Sequence, residues 1–337
     1  MSLATPRWWY ARDRRAPSVT RALLTPIAWG WTAVTARRIA RTTPVDPGVP
    51  VICVGNLTVG GTGKTPVVRA LVRRLGAAKG ETQILTRGYG GRMRGPLLVA
   101  PSLHTAADVG DEALMLTADA LVWVAHDRAA GALAAAAGGA SVIVMDDGHQ
   151  NPAVKKTLSL VVVDGETRDG EWPFGDGAVF PAGPMREPLA PGLARADAVV
   201  LLMPADLETP DPALVALLSS KPVLIARLVA SKPPPPGPQL AFAGIGKPWK
   251  MERALKAAGC DLADFAPLAD HVRYDERLLR FLAHRAETLG AGLLTSEKDW
   301  VKLPPDWRGR VTAWPVEARF ENEAALDELL AILNPSP

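Results

Sequence analysis

Short apolar runs alternate with amphipathic helical patterns along most of the chain. The runs are rich in β-branched residues, and between them apolar residues recur every three or four positions. This alternation predicts an α/β fold in which a mostly parallel sheet is flanked by helices. The strand-like runs that predict this sheet are residues 51–54, 83–86, 121–125, 142–145, 159–163, 198–202 and 223–228.

A tract of four prolines, residues 233–236, follows the last of these runs. Such a tract is extended and stiff, so it predicts a boundary between two folded units. The second unit is predicted from strand patterns near 240–243, 291–295 and 311–316 and helical patterns near 249–258, 275–289 and 323–333. We therefore expect an N-terminal segment (1–45), a larger nucleotide-binding domain (46–231) and a smaller α/β domain (232–337) that closes over the active-site cleft.

Composition narrows the class of protein only a little. The chain is 48% hydrophobic and 22% charged, which is ordinary for a folded protein and disfavours both a disordered chain and a multi-span membrane protein. Cys53 and Cys260 have no second cysteine or histidine at metal-ligand spacing. Neither a disulfide framework nor a zinc site is predicted.

Basic residues are concentrated at the N-terminus, where residues 1–41 contain eight arginines and one aspartate. The uncharged stretch between Arg21 and Arg37 is shorter than the ~20 residues that span a bilayer, and it includes Pro26 and Gly30. The stretch also lacks the small-residue cleavage site of a signal peptide. We expect neither a transmembrane helix nor export.

Trp8, Trp9 and Tyr10 lie beside these arginines. Aromatic rings and guanidinium groups together are typical of a segment that lies in the headgroup region of an anionic membrane. A helix packed on the protein's own core would have similar spacing, and the residues alone leave both interpretations open. No nucleic-acid-binding motif accompanies the basic residues, so nucleic acid is not an expected partner.

A glycine-rich turn, Gly55 to Gly63, joins the apolar run 51–54 to a helical pattern. This order of strand, loop and helix is typical of a triphosphate site, because backbone N–H groups and the helix N-terminus surround the phosphates. Lys64 is predicted to reach the β and γ phosphates, and the Thr65 hydroxyl to bind Mg²⁺. The residues predicted to bind ATP are Thr58, Val59, Gly60, Gly61, Thr62, Gly63, Lys64 and Thr65.

The loop departs from the usual spacing at Thr58, where glycine is the usual residue. A chance Gly-Lys-Thr in a surface turn is the alternative. The flanking strand and helix patterns favour the phosphate loop.

Two acids, Asp146 and Asp147, follow the buried-strand pattern 142–145. Ligands of open α/β sheets bind beyond the carboxyl ends of the strands, so these acids are expected to meet Thr65 around Mg²⁺, with Asp146 as the first choice. A solvated Asp-Asp-Gly turn is the simpler alternative. The base-reading and switch elements of GTPases are absent from the sequence, which favours ATP as the nucleotide.

Together these motifs resemble the tetraacyldisaccharide 4′-kinase family, the lipid A kinases. The loop Val54-Gly55-Asn56-Leu57-Thr58 through Gly60-Gly61-Thr62-Gly63-Lys64-Thr65-Pro66 is of the family's kind, Thr58 included. Further segments that resemble the family, in the same order, are 86–91, 109–112, 127–128, 146–150, 180–188, 243–248, 270–271 and 294–299. The chain departs from the family's pattern at Met185 and Val272.

The resemblance implies transfer of the γ-phosphoryl group of ATP, with Mg²⁺, to the 4′-hydroxyl of a tetraacylated disaccharide 1-phosphate in lipid A biosynthesis. It also implies a peripheral position at the cytoplasmic face of a Gram-negative inner membrane, and so favours membrane contact by residues 1–41. The alternative is a P-loop ATPase or GTPase that acts on a partner protein or a metal.

The resemblance further implies that Asp111 is the catalytic base and that His271 supports it. The residues alone favour structural roles for Asp111 and His271, with Asp111 beginning the helix that follows it. Glu187 is a further candidate for the metal. The candidate substrate contacts are Arg87, Tyr89, Arg128, Gln150 and Arg186. For the arginines, a surface ion pair is the open alternative.

Overall fold

The computed structural model describes residues 7–10, 12, 18–79, 81–270 and 272–333. Two sheets, each covered by helices on both faces, form the α/β fold that the sequence predicts. The strands in chain order are β1 (Val51–Gly55), β2 (Thr82–Thr86), β3 (Leu97–Leu98), β4 (Val122–Val124), β5 (Val142–Asp146), β6 (Leu158–Asp164), β7 (Ala198–Pro204), β8 (Val223–Ala230), β9 (Gln239–Ala243), β10 (Leu262–Pro267), β11 (Gly292–Ser296), β12 (Val311–Trp314) and β13 (Val316–Phe320).

Helices follow most strands, as a parallel sheet requires. The α-helices in chain order are α1 (Ser18–Arg41), α2 (Lys64–Lys79), α3 (Ala106–Val109), α4 (Asp111–Leu116), α5 (Arg128–Ala137), α6 (Leu189–Ala194), α7 (Pro212–Leu218), α8 (Pro248–Ala257), α9 (Glu276–Thr288), α10 (Glu297–Trp300), α11 (Pro305–Arg308) and α12 (Glu323–Leu330). Short 3-10 helices occupy Arg7–Tyr10, Arg168–Gly170 and Ala331–Leu333.

The larger sheet has the strand order β13-β8-β7-β6-β1-β5-β2-β4-β3. Its inner strands are parallel, and only the edge strands β3 and β13 pair antiparallel with their neighbours. Alternate residues of β1 enter opposite cores: Ile52 and Val54 pack with α2, α4 and α12, while Val51 and Cys53 pack with α5. Burial on both faces explains why these strands read as continuous apolar runs.

The smaller sheet has the order β10-β9-β11-β12, with all neighbours parallel. Helix α8 covers one face through Met251 and Leu255, and α9 and α11 cover the other. Edge strand β10 was not predicted, because its residues are mostly half exposed and it lacks a buried apolar run.

The chain crosses between the two sheets twice. It leaves β8 for β9 through residues 231–238 and returns from β12 to β13 through Pro315. The two crossings lie side by side, since Ser231 N donates a hydrogen bond of 3.0 Å to the Pro315 carbonyl. Both connections between the sheets therefore pass through one place in the fold.

The run 311–316, predicted as a single strand, is divided at Pro315 between the two sheets. Proline has no N–H to donate, so the ladder of β12 ends there. Strand β13 pairs with β8, and α12 packs on the larger sheet, which differs from the expectation that residues 232–337 build the smaller unit alone. The three-part division of the chain stays a prediction.

Helix α1 lies on the surface with one side against the body of the protein. Ala28 is buried, whereas large apolar side chains on other sides of the helix are exposed. Those exposed residues are Val19, Leu23, Ile27, Trp29, Trp31 and Val34. Within the described ranges, no helix has both the length and the apolar character that crossing a membrane requires.

Candidate active site

The phosphate loop starts at the end of β1 and leads into α2. Gly60 and Gly63 have φ of +95° and +78°, the left-handed region that favours glycine. A Cβ at Gly63 would lie 2.2 Å from the Leu202 side chain, so the loop also has no room for one. Thr58 instead forms an antiparallel bridge with Met185. Thr58 has no positive φ and adopts a backbone conformation open to any residue, so glycine is not needed at position 58.

Hydrogen bonds to backbone carbonyls fix the first half of the loop. Gln150 Nε2 donates to the Asn56 carbonyl at 2.8 Å, and Arg186 N donates to the Leu57 carbonyl at 2.8 Å. The Thr58 carbonyl accepts from Arg186 Nε at 3.0 Å and from Asn56 Nδ2 at 2.9 Å. Because Asn56 also donates to the Thr62 hydroxyl at 3.0 Å, one side chain ties the two halves of the loop together.

Asp147 brings the loop lysine and an arginine together at the carboxyl end of β5. Its φ of +52° is a left-handed conformation that aspartate tolerates. The Asp147 Oδ1 lies 2.7 Å from Arg186 Nη1 and 3.5 Å from Lys64 Nζ. Burial would raise the pKa of Asp147, but Lys64 and Arg186 outweigh it and hold the pKa below its ordinary value. Asp147 is therefore ionised at neutral pH.

Asp146 is fully buried beside it. Its Oδ2 lies 3.5 Å from the Thr86 hydroxyl, and its Oδ1 finds no hydrogen-bond partner among the described residues. Burial raises the pKa of Asp146 to about 7, and repulsion from Glu112 adds to the effect. A buried carboxylate with unused acceptor capacity fits a cation ligand.

The described part of the chain contains no group of three or more His, Cys, Asp or Glu side chains that could hold a metal. Mg²⁺ in nucleotide sites commonly uses one or two carboxylates together with phosphate oxygens. Asp146, Asp147 and the hydroxyl of Thr65, in the first turn of α2, therefore suit a metal that binds with the nucleotide.

Arg128 begins α5 and is 3% exposed, with Nη2 3.2 Å from the Asp146 carbonyl. Its Nη1 has no hydrogen-bond partner in the described ranges, and burial lowers the pKa of Arg128 to about 10. Arg87 and Tyr89 lie exposed in the loop after β2. Burial, together with Arg87 and other nearby arginines, lowers the pKa of His126. Cationic groups therefore converge at the carboxyl ends of β2 and β4.

Asp111 is the first residue of α4, the position that the sequence alone suggested for it, and it is buried. Its Oδ1 accepts a hydrogen bond from Glu112 N at 2.9 Å. The preceding Gly110 has φ of +92°, and a Cβ there would lie 2.5 Å from the Tyr89 carbonyl. Glycine at position 110 thus lets the loop of Tyr89 pack directly against the start of the helix that carries Asp111.

The smaller sheet contributes Lys298, at the start of α10, to this region. Lys298 Nζ lies 3.0 Å from Glu112 Oε1, and Glu112 and Asp111 raise the pKa of Lys298 against the effect of burial. A Cβ added at Gly246 would lie 3.5 Å from Gly61 N and 3.6 Å from Asp270 Oδ2, so the two units meet over the phosphate loop. His271 lies outside the described residues.

Glu187 and Gln150 form a second polar cluster below the loop. Both Glu187 oxygens lie 2.6 Å from Arg195 Nη2, and Gln150 Nε2 donates to Glu187 at 3.0 Å. Gln150 also accepts a long hydrogen bond of 3.4 Å from Arg186. Protein groups thus already engage the Glu187 carboxylate, and its role as a metal ligand stays a prediction.

Lys298, Asn56 and Arg195 were not predicted as site residues. The sequence did indicate a candidate position for Lys298, since Glu297-Lys298-Asp299 lies just beyond the strand pattern 291–295. Asn56 lies within the glycine-rich turn and was quoted only as part of the family-like loop. Arg195 has no local signal, because its role follows from its contact with Glu187.

The chain was compared with known proteins. The family model described as tetraacyldisaccharide-1-P 4′-kinase matches residues 20–334. The tetraacyldisaccharide 4′-kinase of Phenylobacterium zucineum is 68% identical over 330 residues, covering 98% of this chain and 99% of that protein. The protein of the same name from Caulobacter sp. is 64% identical over 330 residues, 98% of each chain.

Among solved structures, LpxK from Aquifex aeolicus, determined as the "apo" form in complex with ATP, has a TM-score of 0.71 and 25% sequence identity. The match covers 93% of this chain and 99% of that one. Similarity therefore extends through both sheets.

Proposed function

The chain belongs to the tetraacyldisaccharide-1-P 4′-kinase family, and we propose that it transfers the γ-phosphoryl group of ATP to the 4′-hydroxyl of a tetraacyldisaccharide 1-phosphate in lipid A biosynthesis. The observation that carries this function is the phosphate loop itself, with Lys64 3.5 Å from Asp147 at the carboxyl end of the adjacent strand. The ATPase or GTPase alternative is not favoured, because family model and relatives alike are kinases of this lipid precursor.

Phosphoryl transfer depends mainly on positioning and on neutralising the charge of the transferred group. Lys64 and the loop from Thr58 to Thr65 hold the triphosphate, with backbone N–H groups and the N-terminus of α2 as donors. Asp146, Asp147 and the Thr65 hydroxyl would hold Mg²⁺, and the metal would neutralise phosphate charge. The unused acceptor capacity of buried Asp146 supports this assignment.

Arg186 and Gln150 act by holding the loop. Arg186 contacts the Thr58 carbonyl and Asp147, and Gln150 contacts the Asn56 carbonyl. Glu187 supports them through its bond to Gln150. These contacts favour a positioning role over direct contact with the lipid.

Asp111 accepts the proton of the attacking hydroxyl, and His271 assists it. The position of Asp111, buried at the start of α4 beside Lys298, supports this role. Arg87, Tyr89 and Arg128 lie on the neighbouring strand ends and form the acceptor side, where the guanidinium groups meet substrate phosphate and the Tyr89 ring meets sugar.

Groups from both units surround the phosphate loop, so the cleft must open for exchange of ligands. The adjacent crossings at Ser231 and Pro315 supply the hinge, and Lys298 and Gly246 approach the larger unit on the cleft side. The substrate is acylated, and the N-terminal segment, residues 1–41, meets it at a membrane surface. The exposed apolar side chains of α1 and the arginines beside them support peripheral contact at the cytoplasmic face of the inner membrane.

Transfer of label from γ-labelled ATP to a tetraacyldisaccharide 1-phosphate in detergent tests the function. We expect labelled lipid from the native chain and a loss of about 100-fold or more in Asp111→Ala, with ATP affinity retained. Asp261→Ala, an exposed acid that precedes β10, serves as the control and keeps full activity. A folded, ATP-binding protein that hydrolyses ATP without acceptor and labels no lipid would refute the kinase function.

A further inference from the structure

The 3-10 helix Arg7–Tyr10 lies directly against the phosphate loop, and Tyr10 makes the contact. The Tyr10 side chain is buried, and its hydroxyl donates a hydrogen bond to the Val59 carbonyl. The Tyr10 carbonyl accepts a hydrogen bond of 2.6 Å from Trp172 N, which fixes the residue from its other side. A residue 49 positions upstream is therefore part of the nucleotide loop's surroundings.

This bond completes a series along the loop. The carbonyls of Asn56, Leu57 and Thr58 accept hydrogen bonds from Gln150 and Arg186, and the Val59 carbonyl accepts from Tyr10. The Tyr10 bond is the last of the four, at the point where the chain enters the flexible pair Gly60 and Gly61. Loss of this bond would free the glycines whose N–H groups face the phosphates.

The Tyr10 ring also contacts the smaller unit. Lys247 Nζ lies 4.7 Å from the ring centroid, and the same ammonium lies 3.1 Å from both Asp164 and Glu171. The neighbouring Gly246 approaches Gly61 of the phosphate loop. Tyr10 thus touches the nucleotide loop and the unit that meets it across the cleft.

Two tryptophans connect the same region to the surface helix α1. Trp31, on α1, donates a hydrogen bond of 3.1 Å from Nε1 to the carbonyl of Arg186, the residue that holds Thr58. The rings of Trp9 and Trp31 pack edge-on against Phe180, with centroids 6.1 and 5.3 Å away. Two described parts of the N-terminal segment, residues 7–10 and helix α1, therefore both pack on the support of the phosphate loop.

We propose that Tyr10 is a positioning residue for the phosphate loop, and that binding of the N-terminal segment to a lipid surface strengthens ATP binding through Tyr10. This inference rests on the proposed function for the identity of the nucleotide and for the membrane contact. A segment seated on lipid is held in place, so the Tyr10 bond is formed for a larger fraction of the time and the loop is better ordered for phosphate.

Tyr10→Phe tests the first step, because it removes only the hydroxyl and retains the ring beside Lys247. We expect ATP affinity, measured by equilibrium titration of the full-length protein without lipid acceptor, to fall about fivefold, the size of one net hydrogen bond, while the melting temperature stays close to the native value. Arg12→Gln is the matched control in the same segment: Arg12 pairs with Asp211 and stacks on Trp172 without touching the loop. Equal ATP affinities of native and Tyr10→Phe proteins would overturn the positioning role.

Phosphatidylglycerol vesicles test the second step, with phosphatidylcholine vesicles for comparison. The anionic vesicles are expected to tighten ATP binding by the native protein and to leave Tyr10→Phe unchanged. No effect on the native protein, or an equal gain in both proteins, would overturn the coupling. These titrations measure binding alone, so an absence of lipid phosphorylation would refute the kinase function without deciding the role of Tyr10.

Discussion

At the scale of single residues, Gly110 controls how closely two parts of the site approach. Its φ is +92°, and a Cβ would lie 2.5 Å from the Tyr89 carbonyl. Gly139 has a similar φ of +89°, but the nearest atom to its Cβ position is 3.7 Å away. At both positions the positive φ would strain any residue that has a Cβ, but only Gly110 also lacks the space for one.

Gly139→Ala is expected to lower the free energy of unfolding by about 1 kcal/mol, the cost of a left-handed alanine. Gly110→Ala should cost about 3 kcal/mol, because overpacking adds to that strain, and should also slow lipid phosphorylation by displacing Tyr89 and Asp111. Urea unfolding and steady-state kinetics of the two variants provide the measurement. Similar activities in both would show that the close approach at Gly110 has no catalytic value.

At this scale the sequence was informative where chemistry is local. The glycine-rich turn and the acids after β5 were both visible in the sequence, and the structure brings Lys64 of the turn to Asp147. The expected meeting of Asp146 and Asp147 with Thr65 around Mg²⁺ stays a prediction. The bond from Tyr10 to Val59 joins residues far apart in the chain and has no local pattern. Such contacts depend on how the whole chain packs, which single-sequence patterns do not contain.

At the scale of elements, α1 presents its apolar side chains to solvent. Leu23 and Trp29 are 72% and 69% exposed, whereas a helix serving only the protein's own core would bury such residues. We expect Leu23→Glu combined with Trp29→Glu to reduce binding to anionic vesicles about tenfold or more, since two large apolar contacts are lost and two negative charges are added.

Cosedimentation with vesicles measures this change. Leu133→Glu is the control, because Leu133 is an exposed leucine of α5, 48% accessible, that the membrane interpretation does not involve. Equal binding by the native and doubly substituted proteins would contradict membrane contact through α1.

The buried strands were the most predictable elements. Strands β1, β5, β6 and β7 are covered on both faces, so continuous apolar runs in the sequence predicted them. Strand β10 is half exposed, and β13 joins the larger sheet by antiparallel pairing with β8. Strand β13 could pair with either sheet by its sequence pattern, and long-range contacts after Pro315 determine which sheet it joins.

At the scale of the whole molecule, ion pairs join the two units near the carboxyl end of β6. Asp164 is buried, with Lys250 Nζ 2.5 Å from Oδ1 and Lys247 Nζ 3.1 Å from Oδ2. Arg253 of the same helix, α8, lies 2.9 Å from Glu166. These ion pairs lie between the two units, so they link the smaller unit to the larger one.

Asp164 makes this contribution dependent on pH. Burial would raise its pKa, but Lys250 and Lys247 hold the pKa of Asp164 at about 2. The pKa is thus lower in the folded protein than the value of about 3.9 in an unfolded chain. A carboxyl with a depressed folded pKa stabilises the fold above its unfolded pKa, and this stability is lost as pH falls toward the folded value. The expected contribution at neutral pH is on the order of 2 to 3 kcal/mol.

Asp164→Asn should therefore lower the free energy of unfolding at neutral pH and leave a smaller deficit below pH ~4, where the Asp164 carboxyl of the unfolded native chain takes up protons and its contribution to stability declines. Urea unfolding of both proteins across this range gives the difference directly. The exposed pair of Asp46 with Lys155, at 2.9 Å, provides the control, and Asp46→Asn should change stability little at any pH. A deficit for Asp164→Asn that stays constant into acid would mean that its two lysines do not act through the charge of Asp164.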